Sequence, residues 1–397
     1  METTGTMRPL WLQHRLVVLR VAVAILTVFA VLKLGPELYR LLFEQGVAGA
    51  HDLRLRYDEV ARWFAHLPVY PELPYATYPP ASYLLFWPAV GWLPWAACRW
   101  LWAMASLLCL VWISRMMVRE SGATSPEERW LVAVLPFAIN ATGIALGNGQ
   151  LVVLLAPMLL LAVLLITRKP APGMRSGIVA AALMLVSLVH PATASPFMWI
   201  ILFCSPSLRP GLLVVIAYLA VTAASAWFQP ESLPVLIGDW LANGQSSAVD
   251  AGYADLNKLM VLLGLRELAM PASGLALAGL GLWVYLHRRA DPWILLGVTA
   301  TVARLWTYHG MYDDFLIVLP LVALFRIAKG RTGSSDALAA GLLLAATTVT
   351  MLMPAQMLAF WGPPWPAVFL WLHVLVWMAN LVFLQRVGKS QAKTGGK

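Results

Sequence analysis

Apolar runs of roughly 14 to 22 residues follow one another along almost the whole chain, separated by Pro, Gly and Arg. A helix of about 20 such residues crosses the hydrocarbon core of a bilayer, and inside lipid only helices and closed barrels satisfy their own backbone. One run would mean an anchor; a dozen leave little chain for anything else. Composition agrees: 60% of the 397 residues are hydrophobic and 12% charged, with 19 tryptophans, about half the charge of an ordinary soluble domain. The expected fold class is an all-α integral membrane protein, a single polytopic domain over 1–397.

The expected spans are 15–34, 96–117, 130–145, 150–167, 176–190, 192–205, 211–228, 269–287, 292–306, 315–328, 337–354 and 366–386. With the N-terminus placed inside, twelve spans return the tail KSQAKTGGK to the same side. The inside segments then hold 19 of the 28 Lys and Arg but only 6 of the 19 acids, as the positive-inside rule requires. The net charge of +9 is thereby explained as topology, so no nucleic-acid partner is expected. The N-terminal run lacks a small-residue cleavage pattern and reads as a retained first span. Cys98, Cys109 and Cys204 sit in apolar runs without metal-type spacing and read as small hydrophobes.

Three features break the pattern. Tyr83 to Pro94 is too short to span and reads as a partly inserted helix. Segments 176–190 and 192–205 form a short hairpin with HPATASP at its tip, and 292–306 and 315–328 repeat the arrangement around YHGMYDDF. Two long outer loops, about 36–80 and 229–266, are rich in aromatics, which argues for ordered, functional segments. The second divides the chain into modules 1–228 and 229–397. No internal repeat is evident.

Polar residues gather on the outer side. The first loop contains HDLRLRYDEVARWF, with Asp52, Asp58 and Glu59, and ends near Tyr78. The turn LGNGQ gives Asn148 and Gln150, and the first hairpin tip gives His190. The second loop supplies Asn243, Gln245, Ser246 and Lys258, and the second hairpin Arg304, His309, Asp313 and Asp314. Ionisable groups at a membrane edge are costly and mark function by default. Each also has a structural explanation: His309 satisfied by a carbonyl, Asp313 and Asp314 pairing Arg304, Asn148-Gly-Gln150 making a tight turn, His190 held at a helix end, and Asp52 solvated. Their shared side favours the functional reading.

The order of these motifs resembles glycosyltransferase family 87, whose members include the phosphatidylinositol-mannoside mannosyltransferases of the GT-C superfamily. The family's opening Asp-Phe and Val-Tyr-Tyr are matched loosely by DLRLRY, Asp52 to Tyr57, and its Tyr-Pro-Pro by Tyr78-Pro79-Pro80. Gly149-Gln150 stands at its Gly-Gln, His190-Pro191 at its Lys-Pro, NGQS at its Asn-Gln-Ser and LWTYHGMYDDF at its late Trp/His motif. Two positions depart: Arg56 replaces a tyrosine and His190 a lysine.

The resemblance implies a GT-C-like bundle in the plasma membrane, with both termini cytoplasmic and the active site extracytoplasmic. It implies an inverting transferase moving a sugar, mannose-type foremost, from a polyprenyl-phosphate donor to a lipid or glycan acceptor. Carried over, Asp52 is the catalytic base. Arg304, His309, His190 and Lys258 bind the donor phosphate. Asp58, Tyr78, Gln150, Asn243, Gln245, Asp313 and Asp314 bind or orient the acceptor and sugar. No cofactor is expected, and no metal, because Asp313-Asp314 is the nearest approach to a ligand set. The alternative is a lipid-linked-sugar flippase or small-molecule transporter, which would place its polar groups at the bilayer midplane between broken helices. A two-carboxylate glycosidase rarely needs so many spans.

Overall fold

The computed structural model describes residues 10–46, 48–168, 173–250, 254–330, 334–353 and 362–394. Among them there are helices and turns but no strand. In chain order the helices are α1 (Leu10–Leu42), α2 (His51–Phe64), α3 (Pro80–Val90), α4 (Trp95–Glu120), α5 (Pro126–Ala138), α6 (Asn140–Asn148), α7 (Val152–Thr167), α8 (Met174–Ser187) and α9 (Pro191–Phe203). They continue as α10 (Arg209–Ala226), α11 (Leu233–Asp250), α12 (Leu256–Leu262), α13 (Ala269–Leu286), α14 (Pro292–Leu305), α15 (Val318–Gly330), α16 (Ser335–Leu352) and α17 (Trp365–Thr394). A 3₁₀ segment, Met311–Ile317, leads into α15.

Among the described residues six helices are long and apolar enough to cross a membrane, and α5 with α6 makes a seventh if the bent pair is one span. The expected twelve spans therefore reduce to six or seven by length and composition. The difference lies in α7, α8, α9 and α14, which are apolar but short, and in α15, which has 13 residues. At 14 residues, α8 and α14 reach about 21 Å, short of a ~30 Å core.

Short and long helices occupy different places. The long α1, α10, α13 and α17 carry rows of exposed aliphatics, among them Val21, Ile25, Val28, Leu212, Ile216, Leu219, Leu275, Leu282, Leu375 and Val382. Such a surface needs lipid rather than water against it. By contrast α7, α14 and α15 bury most of their length, through Leu155, Leu159, Leu160, Val163, Leu295, Leu296, Leu319 and Val322 among others. The short α7, α14 and α15 thus form the interior, while α8 stays partly exposed through Ile178, Val179 and Val186.

Two sequence expectations change. The run 130–145 is not one straight helix: Ile139 is extended (φ −65°, ψ 143°) and α6 leaves α5 at 44°. Pro136 weakens the last turn of α5, and the Thr142 hydroxyl donates to its carbonyl at 2.5 Å. The first helix also does not stop before Gly35-Pro36 but runs on to Leu42. Its last turns are fastened to α6, Lys33 donating to Asn140 and Arg40 to Asn148. Gly147 admits this approach, since a Cβ there would lie 1.8 Å from Glu37 Oε2.

The two ends of the bundle differ chemically. At one, Arg168, Arg326 and Lys329 pair with Glu120, Asp291 and Glu128. At the other, α2, the Tyr78-Pro79-Pro80 turn, both hairpin tips, α11 and α12 come together, and this end holds the candidate site.

Candidate active site

The polar end is tied together mostly by tryptophan and hydroxyl donors reaching backbone carbonyls. Ser82 Oγ donates to Val189 O at 2.7 Å, joining α3 to the first hairpin tip. Trp306 Nε1 donates to Ala192 O at 2.8 Å, joining the two tips. Trp240 Nε1 donates to Thr77 O at 2.9 Å, bringing α11 over the first loop. Trp63 Nε1 donates to Ser225 O at 2.9 Å, pinning α2 to the end of α10. These bonds supply partners to backbone carbonyls where the segments meet.

These ties enclose a cavity of about 230 Å³ lined by Tyr78, His190, Ser195, Trp240, Trp306, Tyr308, Tyr312 and Asp313, among others. Its wall therefore draws on both outer loops and both hairpins. A larger cleft, about 640 Å³, lies at the other end beside Met174 and Arg209, and its walls are almost wholly apolar.

The adjacent aspartates of YHGMYDDF have separate partners. Asp313 Oδ2 accepts from Gly310 N at 3.2 Å and lies 3.0 Å from His309 Nδ1. Asp314 instead pairs with Arg304, whose guanidinium is 1% exposed and sits 5.3 Å from the Trp377 ring. The 3₁₀ turn separates the two side chains, since successive residues project about 120° apart at 3.0 residues per turn. His309 is buried, its Nε2 has no partner, and its ring lies 6.4 Å from that of His190. His190 Nδ1 is 2.6 Å from Thr193 Oγ1.

Asp52 occupies the first turn of α2, where the helix dipole favours an anion. The chain enters that turn through Ala50, held in the left-handed region (φ 51°, ψ 41°), a conformation that costs a non-glycine residue about 1–2 kcal/mol. One carboxylate oxygen of Asp52, Oδ2, is buried without a hydrogen-bond partner. The LGNGQ turn packs directly against this region: Gly149 is left-handed (φ 71°), and a Cβ on it would meet Leu53 Cβ at 2.5 Å. Only glycine fits there. Gln150 follows, 8% exposed.

The remaining expected residues are more peripheral. Asn243 spends its amide on three first-loop carbonyls, Tyr70, Leu73 and Ala76, at 3.1 to 3.3 Å. Gln245 is exposed, and Asp58 forms a half-exposed pair with Arg54 at 3.0 Å. Lys258 is half-buried in the first turn of α12, its backbone N–H capped by Asp255 Oδ1 at 2.9 Å.

Sequence reasoning missed several members. Asp255 caps α12 and also accepts from His309 N at 3.4 Å; burial raises its carboxyl above the usual range. The signal was present, an aspartate just ahead of a short apolar helix. Arg56 lies 4.4 Å from the Tyr78 ring and 2.8 Å from Glu59. Burial pushes Glu59 up to about 7 against the pull of Arg56. Trp240 had no pattern to distinguish it, while Trp306 and Tyr312 stand in the LWTYHGMYDDF motif but were not singled out from it. Among the described residues no group of three or more His, Cys, Asp or Glu has metal-holding geometry.

Compared with known families, residues 76–307 match the model of glycosyltransferase family 87. The chain belongs to that family. It is a glycosyltransferase whose apolar helices place it in a membrane, so a sugar donor, an acceptor and a bilayer are its partners. The match takes in Tyr78, Gln150, His190, Lys258 and Arg304, while Asp52, His309, Asp313 and Asp314 fall beyond its limits. No curated protein and no solved structure matches the chain.

Proposed function

We propose that this family 87 enzyme is an inverting glycosyltransferase that takes its sugar, mannose-type foremost, from a polyprenyl-phosphate donor. The acceptor is a lipid or glycan, and the polar end of the bundle faces away from the cytoplasm. The observation that carries this reading is the cavity between the two hairpin tips. Their helices are shorter than a full hydrocarbon core, so a site between them lies close beneath the headgroup level, where a lipid phosphate resides.

In this reading the acceptor hydroxyl gives its proton to the free Oδ2 of Asp52 as its oxygen attacks the anomeric carbon. The new C–O bond forms opposite the breaking bond to phosphate, and polyprenyl phosphate departs with the bonding electrons. His309 and His190 face the departing phosphate, and Asp313 holds His309 in orientation. Arg304, engaged by Asp314, frames the site, and Lys258 stands at its outer edge. Tyr78 and Gln150 contact sugar or acceptor, with Asn243 fixing the loop that carries Tyr78; Asp58 and Gln245 lie at the acceptor entrance. Twelve crossings, with α7, α8, α9, α14 and α15 counted, return both termini to the cytoplasm.

Membranes containing the chain, given a panel of polyprenyl-phosphate sugars, test the proposal. Release of polyprenyl phosphate together with a glycosylated product of inverted configuration is expected. Movement of intact lipid-linked sugar across proteoliposomes without transfer would mean a flippase instead.

A further inference from the structure

Fixed positive charge is scarce around the cavity. The wall includes an imidazole and a carboxylate, His190 and Asp313, but no Lys or Arg among its described residues, whereas a phosphate in a low-dielectric site needs a permanent cation. Two buried guanidiniums lie close by. Arg304 is compensated: Asp314 holds it, and Asp255 and Asp313 also act on it.

Arg56 differs in three respects. It is 8% exposed and lies against the ring of Tyr78, a wall residue, at 4.4 Å. The same ring is 5.0 Å from the His190 ring, so Arg56 lies behind one wall residue, Tyr78, that also neighbours a second, His190. Its NH1 stands 2.8 Å from Glu59 Oε2 but out of hydrogen-bond alignment, and no other acceptor serves it. Glu59 is its nearest counter-charge, and burial pushes that carboxyl up to about 7, with Tyr83 and Asp58 as its other neighbours. Asp52 also acts on Arg56, at longer range.

We infer that Arg56, rather than the histidine of the hairpin tip, is the fixed cation that holds the phosphate of the lipid-linked donor. The inference rests on the polyprenyl-phosphate reading above. A guanidinium stays charged at every working pH and offers a planar fork to phosphate, while an imidazole does neither. Stacking on Tyr78 keeps that fork in one plane and limits the entropy lost on binding.

The test compares binding of polyprenyl phosphate and of the parent polyprenol to the purified full chain in nanodiscs. Wild type should prefer the phosphate by about 10- to 100-fold, the range of a charge-assisted hydrogen bond. Arg56→Met should erase that preference, and Arg56→Lys should restore part of it. Because Arg56→Met strands Glu59, the pair Arg56→Met/Glu59→Gln is measured alongside, with melting temperature as the folding control. A preference that survives in the double variant overturns the assignment and leaves the donor reading standing. A wild-type protein that does not distinguish phosphate from alcohol overturns both.

Discussion

The split between Asp313 and Asp314 can be tested directly. Removing Asp314 as Asp314→Ala leaves the Arg304 guanidinium, 1% exposed, without its ion-pair partner. Breaking a buried pair from one side costs about 3–5 kcal/mol. Here the lower end applies, because Asp255 and Asp313 still act on the arginine and Trp377 offers its ring at 5.3 Å. Unfolding in mixed micelles should therefore show a loss of about 3 kcal/mol, while the folded fraction keeps its donor KM. Asp313→Asn should do the reverse, since it spares the Arg304–Asp314 pair, can still accept from Gly310 N and chiefly disturbs the hold on His309: stability close to wild type, transfer reduced about 10- to 100-fold. If Asp314→Ala melts like wild type while Asp313→Asn unfolds, the assignment of one aspartate to the frame and the other to the site is wrong.

Other perturbations follow from the same geometry. His309→Ala should weaken donor use strongly with little loss of thermal stability; unchanged donor kinetics would make the histidine structural. Burial raises Glu59 above its unfolded value to about 7, so its contribution is fully present below about pH 4.5 and fades as pH rises through about 7. Glu59→Gln should flatten that part of the stability profile, and an unchanged slope would contradict it. Reporter fusions at Gln245 and Lys389 should report opposite sides of the membrane, since the same side for both would break the twelve-span topology.

Much of this protein was legible in its sequence because bilayers impose a simple rule. Apolar length alone marked the long helices, and two short runs back to back marked each hairpin. What escaped was the status of the short helices: α7 and α14 look like weak spans in sequence, and only packing shows them to be the interior. The Pro136 bend escaped because periodicity and hydropathy run through it without interruption. Within the site, residues that stand out chemically, such as His309 and Asp313, were found from their apolar surroundings. Arg56 and Asp255 were passed over because charged neighbours in a polar loop resemble a solvated face. Their burial depends on chain segments hundreds of positions away, Trp240 covering the first loop and Thr307 meeting Asn257, and no local pattern encodes that.

The proposed chemistry stands on Asp52, whose Oδ2 is buried and unbonded. Single-turnover transfer from a polyprenyl-phosphate sugar by Asp52→Asn, set beside donor binding to the same sample, measures its role without ambiguity. The near-isosteric amide preserves shape and removes the base, so transfer should fall by about 10²- to 10⁴-fold while donor affinity and melting temperature stay at wild-type values. Transfer within a few-fold of wild type would contradict the account and move the base elsewhere on α2.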